Sequence, residues 1–99
     1  GCLEFEPLDH DRFPAVDLAR EALAMGDSGP AVMNAANEIA VHAFLADQIP
    51  FVRVVPLVQQ VLRSHEPATV TTLEGALDWD RWGRQHAREL LKAEENQHR

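Results

Sequence analysis

Glu38 and His42 are the residues whose types and spacing come closest to a metal site. Residues four apart lie on one face of a helix, and two ligands at that spacing occur in known metal sites. A third ligand must come from elsewhere: Asp47 lies beyond the predicted helix end, and Asn34 is a poor ligand for zinc. We therefore predict no metal site here. Glu38 and His42 instead belong to a polar stripe that meets solvent, a neighbouring loop or another domain.

Asp9, His10 and Asp11 are a second group of potential cation ligands. Side chains alternate along an extended chain, so three adjacent residues cannot all face one ion. A solvated turn, or an ion pair with Arg12, explains these residues better. His86 lies on an apolar helical face with no neighbouring side chain in sequence that completes a triad, so we interpret it as a core residue.

No glycine-rich phosphate loop, dinucleotide fingerprint or nucleophile elbow occurs in the sequence. We therefore predict no catalytic residue, no cofactor-binding residue and no metal ligand in this chain.

The composition predicts one soluble globular domain. The chain has 99 residues, of which 45% are apolar and 25% charged. Its net charge of -7 argues against nucleic acid as a partner, since phosphate binding needs clustered Lys and Arg. No apolar run suits a bilayer, no signal peptide is apparent, and Cys2 is the only cysteine. We expect a cytoplasmic protein. Because it does not begin with Met, we expect a processed chain or a piece of a longer one.

Hydrophobic periodicity predicts an all-α fold, because no strand pattern of any length appears. We predict a small bundle of four main helices and one short helix over residues 15–94. An extended arm, residues 1–14, precedes it, and a frayed tail, residues 95–99, follows it. The four main helices are expected at 15–25, 31–46, 54–65 and from 78–80 to 94, and the short helix, opened by a Thr71–Glu74 capping box, at 71–77.

The second helix is predicted to be the centre of the bundle. It is apolar nearly all round and rich in alanine, as expected of a helix surrounded by other elements. Its polar residues fall on one strip. Trp79, at or just before the start of the last helix, is predicted to point away from the core. The candidate contacts with another domain or partner are Asn34, Asn37, Glu38, His42 and Trp79.

Several segments resemble the C-terminal helical domain of the 1-deoxy-D-xylulose 5-phosphate reductoisomerases. The most specific is Asn34-Ala35-Ala36-Asn37-Glu38 in the second helix. Arg53 is a departure, since the family tends to have an Asp that would cap the third helix. The other matching segments are Phe5-Glu6-Pro7 with Asp9, Arg12-Phe13-Pro14, Leu18-Ala19, Glu21-Ala22, Gly26, Ala43-Phe44-Leu45, Ile49, Phe51, Asp80, Trp82, Arg84 and Ala87-Arg88.

The resemblance implies a supporting domain of a larger enzyme. That enzyme rearranges and reduces its sugar phosphate to methylerythritol phosphate, with NADPH and Mg or Mn, in the non-mevalonate route to isoprenoids. The family's nucleotide, metal and phosphate sites belong to earlier domains. The resemblance therefore implies an inactive isolated chain, the preceding catalytic domain as its partner, and a homodimeric parent. The alternative hypothesis is a free-standing helical module that binds a protein or self-associates.

Overall fold

The computed structural model describes the backbone of residues 14–97 and the side chains of residues 16–95. This part of the chain forms four α-helices, a 3-10 turn at Phe51–Arg53, and no strand. The all-α prediction is confirmed. The predicted arm lies outside the described residues except for Pro14, which begins the first helix. The helices are α1 (Pro14–Ala24), α2 (Ser28–Leu45), α3 (Val54–Ser64) and α4 (Leu73–Gln97).

α2 is the central helix, as its composition predicts. It packs against α1, α3 and α4. The small side chains on its inner side let these three helices approach closely. The residues that it buries are Ser28, Gly29, Val32, Ala35, Ala36, Ala40 and Ala43.

α2 begins at Ser28, three residues before the predicted start. Pro30 therefore occupies the third helical position rather than the first. Amide groups in the first turn have no partner within the helix, so the missing N–H of Pro30 costs no hydrogen bond there.

The predicted break after α2 is confirmed, and the backbone of Asp47 explains it. Asp47 has φ 60, in the left-handed region that few residues other than glycine adopt. Its N–H donates to the carbonyl of Phe44 at 3.0 Å, and the N–H of Gln48 donates to that of Ala43 at 2.8 Å. This pair of bonds is the Schellman arrangement, which satisfies the last carbonyl groups of a helix.

α1 buries a narrower face than its sequence predicts. Leu18 and Ala22 are buried against the core, whereas Val16 and Leu23 are exposed, Leu23 by 70%. The apolar spacing of α1 predicts Val16 and Leu23 on the same inward side as Leu18 and Ala22, and for these two residues that prediction is wrong. Gly26 lies two residues after the end of α1 and adopts φ +80, the left-handed conformation in which glycine commonly ends a helix.

Apolar residues three and four apart predict one inward face for α3, and the helix buries that face: Val54, Leu57, Val58, Val61 and Leu62. Pro56 lies in its first turn, where a proline is tolerated. The helix begins after Arg53 without a side-chain cap. Arg53 instead forms an ion pair with Glu94, which joins the 3-10 turn to the end of α4.

The prediction of a short helix followed by a separate last helix was wrong, because α4 runs unbroken for 25 residues. Asp78 does not cap a new helix. It accepts a hydrogen bond from Arg81, one turn later, at 2.8 Å. The cap of α4 is Thr72 rather than Thr71, since its Oγ1 accepts from the N–H of Gly75 at 3.0 Å.

α4 also extends past the predicted end at Glu94, to Gln97, and the remainder of the predicted tail lies outside the described residues. None of the helices in residues 14–97 is both long and apolar enough to cross a lipid bilayer.

Candidate docking face

The exposed side of α2 carries the polar stripe, which we define as Asn34, Asn37, Glu38 and His42. All four residues are exposed, while the opposite side of the same helix is buried in the core. The helical period produces this division, because positions three and four apart share a face. The structure thus places the four candidate contact residues of α2 together on one open surface.

Arg84 of α4 connects the polar stripe to the neighbouring helix. Its guanidinium donates to Glu38 at 2.8 Å across the two helices and to Asp80 at 2.8 Å within α4. The pair with Asp80 is the one that the spacing of four residues predicts. The contact with Glu38 spans 46 positions and was not predicted.

These ion pairs shift the protonation of both partners. The hydrogen bond from Arg84 is the main reason that the pKa of Glu38 lies below its usual value. Hydrogen bonds to Glu38 and Asp80 raise the pKa of Arg84. Glu38 is therefore a carboxylate held by Arg84.

Glu38 and His42 line an open groove between α2 and α4, with a volume of about 520 Å³. The α4 side contributes Arg84, Arg88 and Leu91. Within the described residues, no three His, Cys, Asp or Glu side chains are placed to hold a metal ion together. We call this cleft the α2–α4 groove.

A buried polar network that sequence reasoning missed lies at the start of α2. The Oγ of Ser28 is 3.1 Å from Nε2 of His65, and the N–H of Ala68 donates to the same oxygen at 2.9 Å. Nδ1 of His65 is 2.5 Å from the carbonyl oxygen of Leu62, so it must be the protonated nitrogen. In the neutral ring Nε2 then accepts from the Ser28 hydroxyl, and every group has a partner.

A Ser–His pair is a familiar nucleophile arrangement, but this one is closed to substrate. Ser28 is fully buried and His65 is 6% exposed. The N–H of Ser28 also donates to the carbonyl of Ala68 at 3.2 Å, and the N–H of Val70 donates to Asp27 at 3.1 Å. The network therefore ties the α3–α4 loop to the start of α2, which is a structural role.

The prediction that Trp79 points away from the core was wrong, because Trp79 packs against the core in an aromatic cluster inside the domain. It is half-buried, and its ring meets His65 edge-on with centroids 5.1 Å apart. Trp82 is 5.8 Å from Trp79 and stacks on His86 at 4.8 Å. The expected contact of Trp79 with a residue outside the domain stays a prediction for the exposed part of its ring.

His86 matches its interpretation as a residue of the inward face only in part. It is half-buried and stacked on Trp82, and its Nδ1 lies 3.9 Å from Glu89, beyond hydrogen-bond distance.

Fold and surface together define a small all-α domain whose open polar face lies on its central helix. Comparison with known proteins gives the family. Residues 1–86 match the model of the DXP reductoisomerase C-terminal domain, and the chain belongs to this family.

Two relatives and one solved structure illustrate the match. The chain is 54% identical to the 1-deoxy-D-xylulose 5-phosphate reductoisomerase of Thermomicrobium roseum, over 92% of this chain and 24% of the relative. It is 50% identical to that of a Geobacter species, over 92% of this chain and 23% of the relative. The Zymomonas mobilis reductoisomerase, solved in complex with NADPH, matches 89% of this chain and 23% of its own with TM-score 0.80 and 44% identity. The chain thus spans about a quarter of these relatives.

Proposed function

We propose that this chain is the C-terminal structural domain of a 1-deoxy-D-xylulose 5-phosphate reductoisomerase and supports the catalytic part of that enzyme. The observation that carries the proposal is the coverage: 92% of the chain matches only 23–24% of relatives that bear this enzyme name. That coverage also favours this role over a free-standing interaction module.

The parent enzyme would convert 1-deoxy-D-xylulose 5-phosphate to 2-C-methyl-D-erythritol 4-phosphate, in the cytoplasm and as a homodimer. NADPH would supply the hydride, and Mg or Mn would assist. The described residues do not fit either group, since they contain no cluster of three metal-ligating side chains and the sequence has no dinucleotide fingerprint. The contribution of this chain is packing.

The polar stripe is the face that we assign to the preceding catalytic domain. Hydrogen-bonding side chains on a rigid central helix suit a contact that fixes orientation, because interfaces within a chain are more polar than obligate ones. Asn34 and Asn37 are exposed and retain hydrogen-bonding capacity for such a partner. Arg84, which is paired with Glu38 of the stripe, extends this surface from α2 onto α4.

A chimera tests the proposal. The C-terminal segment of the Thermomicrobium roseum enzyme that aligns with this chain is replaced by this chain, and NADPH oxidation is followed with 1-deoxy-D-xylulose 5-phosphate and Mn²⁺. We expect the chimera to be active and the isolated chain to be inactive. Turnover by the isolated chain would contradict a purely supporting role.

Paired variants of the chimera locate the docking face. Asn37→Arg, in the polar stripe, should lower activity, whereas Gln60→Arg, on the exposed side of α3, should not. Both variants should melt at the parental temperature in the isolated chain, because both positions are exposed. Equal activity of the two chimeras would rule out the stripe as the docking face.

A further inference from the structure

The outer face of α4 carries a row of exposed polar residues that runs along most of the helix. Successive members are alternately four and three residues apart, so they share one side of the helix. All of them are exposed, whereas Gly83 and Ala87, on the opposite side, are buried. We call this row the α4 stripe, and it consists of Glu74, Asp78, Arg81, Gln85, Arg88 and Lys92.

Charge divides α4 into two halves of opposite sign. Residues 73–80 contain three carboxylates and no cation, whereas residues 84–92 contain three cations and one carboxylate. The charges at the two ends of the stripe are not neutralised locally: Glu74, Arg88 and Lys92 make no hydrogen bond or ion pair with another described residue. Each end can therefore attract a surface of the opposite charge.

The order of these charges is complementary to its own reverse. Each acidic residue of the stripe before Gly83 has a basic residue at the same distance after it. The matched pairs are Glu74 with Lys92, at nine residues, and Asp78 with Arg88, at five. A second α4 running antiparallel would bring both pairs together, whereas a parallel one would oppose like charges. Because a two-fold interface must complement itself, the α4 stripe suits a second copy of this chain.

Exposed leucines flank the acidic half of the stripe. Leu73 is 76% exposed and Leu77 50%. Leu91 lies on the same flank, because it follows Leu73 by 18 residues, about five helical turns. It is half-buried in the α2–α4 groove beside Ile39. In the antiparallel arrangement, Leu91 of one copy lies between Leu73 and Leu77 of the other, so association removes apolar surface from water.

We propose that two copies of this chain associate through the α4 stripe, with their α4 helices antiparallel about a two-fold axis at the middle of the stripe. Glu74 of each copy pairs with Lys92 of the other, and Asp78 pairs with Arg88. The leucines beside the acidic half cover Leu91 of the other copy. The association does not rest on the proposed function, since every residue in it belongs to the described part of this chain.

The size of this interface predicts a reversible dimer. Eighteen residues separate Glu74 from Lys92, which corresponds to about 27 Å of helix. One helix face of that length is well below the ~800 Å² that each partner of a stable complex buries. We therefore expect monomer and dimer to exchange, with the dimer favoured at high protein concentration.

Sedimentation equilibrium of the Cys2→Ser chain tests for the dimer. The substitution removes the only cysteine, so that no disulfide can link two chains. Moderate salt screens the net charge of each copy, while close ion pairs persist. We expect the average mass to rise with protein concentration from 11.1 kDa toward twice that value. A mass that stays at 11.1 kDa at every concentration would overturn the proposal.

Two charge-reversed variants test the pairing. Arg88→Glu with Lys92→Glu makes the stripe acidic at both ends, and Glu74→Lys with Asp78→Lys makes it basic at both ends. Each variant alone should be monomeric, with a dissociation constant raised about tenfold or more, because attraction becomes repulsion. An equimolar mixture should dimerise again, since all four pairs are then attractive. A mixture that stays monomeric, or a variant that dimerises alone, would overturn the proposal.

A swap within one chain tests the antiparallel register. Glu74→Lys should weaken the dimer, and adding Lys92→Glu to the same chain should restore it, with the net charge again -7. Both positions are exposed, so both variants should melt like the parent at a concentration where all are monomeric. If the second substitution weakened the dimer further, the proposed register would be wrong.

A leucine comparison tests the apolar flank. Leu77→Ser should weaken the dimer, whereas Leu23→Ser, at an exposed leucine of α1, should leave the dissociation constant unchanged. Equal effects of the two variants would place the interface elsewhere and overturn the proposal.

Discussion

The two polar networks along α2 differ in what they leave for other molecules. At the start of the helix, Ser28, His65 and the Ala68 backbone satisfy one another inside the domain. Farther along, Glu38 and Arg84 pair at the surface beside an open groove. Buried polar groups must all find partners, whereas exposed ones can exchange partners with water at little cost. The first network holds the α3–α4 loop against the start of α2, and the second remains available for contacts with other molecules.

The largest loss of stability is expected where α1 and α2 touch, next to the buried polar network at the start of α2. A Cβ at Gly29 would come 1.9 Å from the carbonyl oxygen of Ala22. Gly29→Ala therefore forces the two helices apart and should cost roughly 3 kcal/mol of unfolding free energy, a large part of the stability of a small domain. Urea denaturation measures this loss.

Gly75→Ala is the matched control: its methyl group would come 3.3 Å from Oγ1 of Thr72, a tight contact with an exposed side chain and not a clash with backbone. Alanine is the better helix former, which offsets that contact, so this variant should lose much less stability than Gly29→Ala. Similar losses at both positions would mean that the α1–α2 contact is not tight.

A smaller but still clear loss is expected from Ser28→Ala. It removes the hydroxyl that pairs with His65 and with the N–H of Ala68, and it leaves the buried ring nitrogen of His65 and the part-buried N–H of Ala68 without that partner. An unsatisfied buried group costs about 1–3 kcal/mol, and we expect about 2 kcal/mol in total, since the loop can partly adjust.

Ser64→Ala provides the comparison at a serine that is exposed. Its Oγ donates to the Gln60 carbonyl at 2.8 Å on the outside of α3. Because water replaces that bond, the midpoint of urea denaturation should hardly move. If Ser28→Ala were equally mild, the network would not tie the α3–α4 loop to α2.

Sequence periodicity predicts which residues of a helix are buried when one face of that helix packs against the core. The inward face of α3 and the exposed stripe of α2 follow from residues spaced three and four apart. The surface pair of Asp80 and Arg84 follows in the same way. Each of these features depends on neighbours along one helix.

Contacts between distant residues were beyond such reasoning. Ser28 and His65 are separated by 37 positions, and nothing in either local sequence indicates that they meet. The break predicted before Asp78 failed for a different, local reason: an Asp can cap a helix or pair within one, and Asp78 pairs with Arg81 inside α4.

The smallest effect is expected at the surface ion pairs of Glu38 and Glu21, and it depends on pH. A hydrogen bond from Arg84 lowers the pKa of Glu38 from its usual 4.5, and one from Arg63 does the same for Glu21. A carboxyl group whose pKa is lower in the folded chain stabilises it above pH 4.5, and this stabilisation is lost as the pH falls through the folded-state value. Stability should therefore decline gently below pH 4.5.

The double variant Glu21→Gln and Glu38→Gln isolates that decline. Each ion pair has one exposed partner and lies at the surface, so the variant should melt near the parental temperature at pH 7 in moderate salt. Its melting temperature should then fall less steeply below pH 4.5 than that of the parent. A large loss at pH 7 in the double variant would mean that the surface ion pairs stabilise the fold as strongly as the buried network, and the distinction between buried and surface polar contacts would fail.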